Sequence, residues 1–144
     1  KYKAYEKAGC ETYFNKKDHL WTLYEYETGQ FKLPKSTEAG MIYGGCNCGN
    51  CHITISSNGD IMACRRVTDS KVANIFEDRL ADVWICQMEK YREYDLFIKC
   101  SKCELKAWCR GCPAVANGTN GDFYGADPQC WKIKNERTGE RLSC

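Results

Sequence analysis

The stretch Cys100-Ser-Lys-Cys103 is followed, after an interval of five residues, by Cys109-Arg-Gly-Cys112-Pro113, and a loop rich in Gly and Asn then leads to Cys130. Two residues between paired cysteines bring both sulfurs to one side of a tight turn, as at a corner of a tetrahedral metal site or an iron-sulfur cluster. Five thiolates exceed what one four-coordinate site can use. The surplus thiolate therefore needs partners upstream, in Cys46-Asn-Cys48-Gly-Asn-Cys51 and at Cys64.

The twelve cysteines in 144 residues either pair as disulfides in an oxidising compartment or bind metal in a reducing one. The two-residue spacing occurs at 48/51, 100/103 and 109/112, and a disulfide framework gives no reason for such a repetition. A secreted disulfide-rich domain is supported only by the even cysteine count. Zinc or mononuclear iron in four-cysteine sites is the main alternative to clusters, with His52 as a substitute ligand or an ordinary exposed histidine. Cys10, Cys86 and Cys144 are predicted to be lone thiols without a role.

The overall composition indicates one modest domain without an obvious charged partner. Apolar residues make up 43% of the chain, and 21 basic and 19 acidic residues are spread along it without a run of like charges. This pattern predicts no nucleic-acid or membrane partner. The first residues lack the apolar core of a signal peptide, and no apolar run approaches the roughly 20 residues of a membrane span. We therefore expect a cytoplasmic protein, and the missing initial Met indicates a piece of something longer.

A helix is predicted near the start of the chain. Asn15 is a suitable N-cap, Leu20, Leu23 and Tyr24 form an apolar stripe, and Gly29 is a suitable end.

A β-hairpin is predicted around Ser57-Asn-Gly-Asp60, because Asn-Gly lies between the short β-type runs Ile53–Ser56 and Ile61–Cys64. Such a hairpin would bring Cys51 and Cys64 to the same open end. The fold class predicted is α+β, with a small hairpin, a few helices and long loops wrapped around two Cys-ligated metal clusters.

Three more helices are predicted after the hairpin. One extends from Asn74 to about Phe97, a short one passes through Leu105 and Trp108, and one begins at Pro113. The apolar stripe of the long helix recurs at steps of three and four residues and consists of Leu80, Val83, Trp84, Met88 and Tyr91.

The cysteine spacing carries a family resemblance. Twelve residues separate Cys46 from Gly59, four separate Gly59 from Cys64, and the array at 100, 103, 109, 112 and 130 follows. In this pattern the chain resembles the SPASM domain, which forms the C-terminal part of many radical S-adenosylmethionine enzymes that modify peptides and proteins. The resemblance covers about Gly44 to Trp131. The chain departs from the family pattern in two respects. Two residues rather than three separate Cys109 from Cys112, and three candidate cysteines, at 46, 48 and 51, stand where the first cluster would need two.

The resemblance implies two auxiliary [4Fe-4S] clusters with crossed ligation. The ligands of the first cluster would be Cys46, Cys51, Cys64 and Cys112, with Cys48 as an alternative to Cys46. The ligands of the second cluster would be Cys100, Cys103, Cys109 and Cys130. The basic residues beside these cysteines would offset the negative charge of the thiolates or serve as solvated surface; they are Arg65, Arg66, Lys99, Lys102, Lys106 and Arg110.

The resemblance also implies a function in peptide maturation. An enzyme of this type installs thioether or carbon-carbon crosslinks in a ribosomally made precursor peptide, and its auxiliary clusters relay electrons or engage the substrate. The chain lacks the Cys-x3-Cys-x2-Cys motif, so we expect this polypeptide to be inactive alone and S-adenosylmethionine to bind only to the full-length enzyme. Residues 1–43 would connect to a catalytic radical domain in cis, 44–131 would form the auxiliary-cluster domain, and 132–144 a polar tail. An external electron donor is a further expected partner.

Overall fold

The computed structural model describes residues 1–12 and 19–132, so the predicted cap Asn15 and the thiol of Cys144 lie outside the described residues. The predicted α+β fold class is confirmed, because a small antiparallel sheet is combined with several short helices. The α-helices and strands are α1 (Tyr2–Lys7), α2 (Trp21–Glu27), β1 (Thr54–Ile55), β2 (Asp60–Met62), β3 (Lys71–Asn74), α3 (Leu80–Asp82) and α4 (Pro113–Asn120). The tighter or wider helical turns are Thr68–Ser70, Val83–Gln87, Glu89–Arg92, Tyr94–Leu96 and Cys100–Lys102.

The sheet contains the predicted hairpin and one strand that the sequence pattern did not indicate. Strand β1 pairs with β2 in antiparallel fashion, with Ile55 opposite Ile61. Strand β3 adds to the other edge of β2, with Ala73 opposite Ile61 and a register irregularity at Met62. Ile61 is fully buried by its neighbours, so the central strand anchors the sheet to the core.

The prediction of one long helix from Asn74 to Phe97 is wrong. The segment is broken into α3, a π-helical turn in which Met88 N donates to Val83 O at 3.0 Å, and two 3-10 turns. Arg92 explains part of the break, because its Nη2 donates to Trp84 O at 2.6 Å while its guanidinium covers the Trp84 ring. Such a competing side-chain donor widens the helical ladder locally. Val83, Met88 and Tyr91 of the predicted stripe are buried, whereas Leu80 is exposed.

The apolar side chains form two separate cores. The larger core joins the sheet to the broken helical segment and includes Ile61, Met88 and Phe97, together with Cys48 and Cys64. The smaller core consists of Leu20, Leu23, Leu105 and Cys109, with Cys103 and Cys130 packed against it. Cys46 and Cys100 also pack against the larger core.

Helix α2 confirms part of the prediction for the first segment. Leu20 and Leu23 are buried, whereas Tyr24 is exposed. The short helix predicted through Leu105 and Trp108 is wrong, since these residues form successive turns. The helix predicted at Pro113 is confirmed, with Cys112 as its N-cap. Within residues 1–12 and 19–132, no helix has the length and apolar character needed to cross a membrane.

Candidate metal centres

The first cysteine group lines an open cavity of about 630 Å³ between the hairpin and the start of α4. The thiols at this cavity belong to Cys46, Cys48, Cys64 and Cys112. Cys48 lies between Cys46 and Cys64 and hydrogen-bonds to both. Cys51 is exposed and is not among the residues that line the cavity. The structure therefore brings Cys48, rather than Cys51, to the open end of the hairpin beside Cys64.

The electrostatics of this group favour thiolates at its two outer positions. The hydrogen bond from Cys48 lowers the pKa of Cys46 to about 6, and the positive charge of Arg110 acts in the same direction. The hydrogen bond from Cys48 likewise lowers the pKa of Cys64 to about 6, assisted by Arg66. The pKa of Cys48 is raised because it is the donor toward both neighbours. Since the thiolate is the metal-binding form of cysteine, the group is prepared to bind a cation.

Cys112 reaches this group through a sharp turn after Cys109. Gly111 adopts φ +65°, and a Cβ placed on it would lie 2.6 Å from Asp127 Cβ, so any larger residue here would be strained and crowded. Asp127 is an electrostatic neighbour of both Cys112 and Cys109. Among the thiols, Cys46 is the neighbour of Cys112, whereas Cys130 and Cys103 are the neighbours of Cys109. Cys109 and Cys112 therefore belong to different cysteine groups although only two residues separate them.

The second cysteine group comprises Cys100, Cys103, Cys109 and Cys130. Burial raises the pKa of Cys100 to about 12, and the other three thiols of the group add to the effect. Burial likewise raises the pKa of Cys109 to about 11. Four thiolates crowded into a half-buried position repel one another, so a positively charged group among them is needed to hold all four deprotonated.

Asp127 joins the two groups and was not singled out by sequence reasoning. Its side chain is 1% exposed, and Oδ2 accepts from Cys112 N at 2.7 Å while Oδ1 accepts from Gln129 N at 2.8 Å. Its backbone carbonyl accepts from Cys130 N at 3.0 Å. His19 Nε2 lies 2.9 Å from Oδ2. The available signal was Asp-Pro at the entrance of the last loop, because Asp side chains often accept hydrogen bonds from the following backbone in such turns.

Arg110 differs from the other basic residues beside the cysteines because it is only 2% exposed. Its Nη1 donates to Tyr91 O at 3.0 Å, and its Nη2 donates to Cys46 O. The guanidinium lies over the rings of Tyr94 and Phe97, at 4.7 and 5.4 Å from the ring centroids. In contrast, Arg65 and Arg66 line the cavity with exposed side chains.

The donor set at each position is four thiols, which is the set that a [4Fe-4S] cluster takes from a protein. The eleven cysteines of the described residues are all free thiols. No group of three or more His, Cys, Asp or Glu side chains in this part of the chain is placed to hold a metal ion. The arrangement fits clusters chemically, since four thiols line the cavity of the first group and Cys100 has the other three thiols of the second group as neighbours.

Comparison with known families agrees with this donor set. Residues 46–113 match the family model of SPASM, an iron-sulfur cluster-binding domain. The chain therefore contains a SPASM domain, and an iron-sulfur cluster is its cofactor. Neither the curated proteins nor the solved structures include a match to the chain.

Proposed function

We propose that the chain is the auxiliary-cluster part of a radical S-adenosylmethionine enzyme that modifies a ribosomally made peptide in the cytoplasm. In this proposal it binds two [4Fe-4S] clusters and acts in thioether or carbon-carbon crosslinking of the peptide. The observation that carries the proposal is the division of two neighbouring cysteines between two groups. Cys112 lines the cavity of the first group, whereas Cys109 belongs to the smaller core, against which Cys103 and Cys130 pack. One cluster could not use both groups, because a [4Fe-4S] cluster takes four protein thiolates.

The ligands proposed for the first cluster are Cys46, Cys48, Cys64 and Cys112. The earlier expectation placed Cys51 in this set and treated Cys48 as a substitute for Cys46. Cys51 stays a prediction of the sequence, but its exposed thiol outside the cavity favours Cys48 in its place. The ligands proposed for the second cluster are unchanged: Cys100, Cys103, Cys109 and Cys130.

A bound [4Fe-4S] cluster supplies one-electron redox chemistry at each position. The surrounding residues hold the thiolates, limit water and place charge nearby, which are the means by which a protein tunes such a centre. Four thiolates per cluster support electron relay, from an external donor or away from a substrate radical. Trp21, Glu25 and Arg65 also line the open cavity of the first group, and in this proposal a precursor peptide approaches the cluster through that cavity.

Residues 1–43 are proposed as the connector to the catalytic radical domain in cis, and 132–144 as a polar tail. The small cores of the described residues support a role for the clusters in folding as well. A chain whose loops are ordered by metal gains much of its stability from the metal site.

The test is anaerobic purification followed by analysis of iron, sulfide and zinc in the same sample. Two [4Fe-4S] clusters predict about eight irons and about eight sulfides per chain, with broad absorption near 400 nm. Cys48→Ser is expected to reduce both values to about four, while the matched variant Cys51→Ser keeps about eight. Zinc, or iron without sulfide, would contradict the proposal and indicate mononuclear four-cysteine sites. A loss of iron in Cys51→Ser but not in Cys48→Ser would restore the original ligand set.

A further inference from the structure

We propose that Arg110 is the buried counter-ion of the first cluster and raises the reduction potential of that cluster. The proposal rests on the proposed function, since it concerns a cluster held by Cys46, Cys48, Cys64 and Cys112. It assigns a specific electrostatic role to one residue of the chain. Arg110 is a positioning residue because its hydrogen bond holds the loop at Cys46. Its charge changes the reduction potential of the cluster.

The first step of the argument is the burial of an unbalanced charge. Arg110 is 2% exposed, and no salt bridge among the described residues joins it to a carboxylate. Its hydrogen-bond partners are the carbonyls of Tyr91 and Cys46, and its buried Nε has no hydrogen-bond partner in the described part of the chain. A buried cation without a counter-charge is strongly unfavourable. Two carbonyls and the faces of two aromatic rings compensate part of this charge. An anionic group nearby would compensate the rest.

The second step is the position of Arg110 relative to the thiolates. Its Nη2 donates to the carbonyl of Cys46, so the guanidinium lies beside the loop that carries this ligand. Four thiolates around a cluster core of charge about +2 carry a net charge of about −2, and a metal site of this kind is the largest local charge in its surroundings. The cluster is therefore the anionic partner of Arg110.

The third step is the effect on redox chemistry. One-electron reduction by an external donor would add one negative charge to the cluster. A fixed buried cation stabilises this more negative state more than the oxidised state, so it raises the reduction potential. Solvent and salt screen the exposed cations Arg65 and Arg66 far more strongly, although these two residues line the cavity of the first cysteine group.

The test compares Arg110→Gln, Arg110→Lys and Arg65→Gln with the wild-type chain in anaerobic redox titrations followed by EPR. The signal of the first cluster is identified by its loss in Cys48→Ser. Arg110→Gln keeps an amide donor but removes the charge, and it is expected to lower the equilibrium constant for one-electron reduction at least about tenfold, which corresponds to about 59 mV. Arg110→Lys and the matched surface variant Arg65→Gln are each expected to change it less than about threefold, because charge is kept in one and screened in the other.

Three results would overturn the proposal. In the first, Arg110→Gln keeps both clusters with an equilibrium constant within about threefold of the wild type. In the second, Arg65→Gln shifts the potential as much as Arg110→Gln does. In the third, Arg110→Gln and Arg110→Lys both lose the first cluster, which would reduce Arg110 to a packing role for its guanidinium. Loss of the cluster in Arg110→Gln alone, with a near-normal potential in Arg110→Lys, would support the proposal. Absence of sulfide from the wild type would instead refute the proposed function, before any Arg110 variant is compared.

Discussion

Asp127 is the residue whose hydrogen bonds link the two cysteine groups. It accepts from Cys112 N and Gln129 N, and it is 1% exposed. In Asp127→Asn, the amide would turn an NH₂ toward one of these backbone N–H groups, so at least one buried donor would lose its acceptor. We expect the free energy of unfolding to fall by about 2 kcal/mol, measured by anaerobic urea denaturation. The matched control Asp95→Asn, at a residue 91% exposed, is expected to change it by less than about 0.5 kcal/mol. Equal effects of the two substitutions would contradict the role given to Asp127.

Tyr94 gives the protein a predictable sensitivity to alkaline pH. Burial raises the pKa of its hydroxyl to about 12, against the opposing influence of Arg110. A tyrosine in the unfolded chain loses its proton near pH 10, so the contribution of Tyr94 is complete below pH 10 and is lost as the pH rises toward 12. Tyr94→Phe should therefore reduce the alkaline loss of stability by roughly 2 kcal/mol, measured as denaturation midpoints from pH 7 to 12.

Tyr124→Phe is a useful comparison, because burial raises the pKa of Tyr124 to about 12 as well. Tyr124 donates to Lys90 O at 3.2 Å, whereas the buried hydroxyl of Tyr94 has no hydrogen-bond partner among the described residues. At pH 7, Tyr124→Phe should therefore cost about 1 kcal/mol and Tyr94→Phe should be close to neutral. Identical alkaline slopes for wild type and Tyr94→Phe would contradict the assignment.

At the scale of the elements, the hairpin turn and helix α4 respond in opposite ways to the same substitution. Gly59 adopts φ +86°, and a Cβ placed there would lie 2.8 Å from Asn74 Oδ1 and 2.6 Å from the Phe76 ring. Gly118 lies within α4 and has open space around it. We expect Gly59→Ala to lower the free energy of unfolding by about 2 kcal/mol and Gly118→Ala to raise it by about 1 kcal/mol. Thermal unfolding of both variants measures this, and the same sign for both would contradict it.

The elements also mark the limit of sequence-based prediction for this chain. The hairpin was predictable because Asn58-Gly59 specifies a tight turn locally. Strand β3 was not, since its pairing with β2 depends on distant residues. The apolar spacing that predicted a helix from Asn74 is present in the sequence. The helix is nevertheless broken, because Arg92 donates to Gly49 O and Trp84 O and interrupts the helical hydrogen bonds. The sequence gives no sign that Arg92 would break the helix, because this effect depends on the folded chain bringing Gly49 close to it.

For the molecule as a whole, the sequence predicted how the cysteines are grouped more clearly than it predicted which individual cysteines are ligands. The spacing predicted a surplus thiolate with partners upstream, and the resemblance to the SPASM domain implied two sites with a crossing at Cys112. It left Cys46, Cys48 and Cys51 as competing candidates, because three thiols within six residues satisfy the same pattern. The structure separates them by burial, since Cys48 belongs to the larger core and Cys51 is exposed. The sequence does not show that the side chains of Asp127 and Arg110 lie beside the cysteine groups. Their positions depend on how the folded chain packs.

The crossing itself can be tested by counting iron in double variants. Two ligands of one cluster, substituted together, remove no more than that cluster, whereas ligands of different clusters remove both. Cys48→Ser/Cys112→Ser is therefore expected to keep about four irons, while Cys48→Ser/Cys109→Ser keeps about none. Cys86→Ser is the control and should keep about eight, because Cys86 is exposed.

The two double variants differ only in whether Cys112 or Cys109 is substituted together with Cys48. These two cysteines are three positions apart, and Gly111 between them has a left-handed backbone conformation. If Cys112 instead shared a cluster with Cys109, the iron contents of the two double variants would be equal, at about none in both. In that case the short Cys109–Cys112 spacing would have shifted Cys112 into the second site, and the first cluster would have three protein thiolates and an open position. The expected difference between the double variants therefore distinguishes two fully ligated relay clusters from one relay cluster beside a site for substrate.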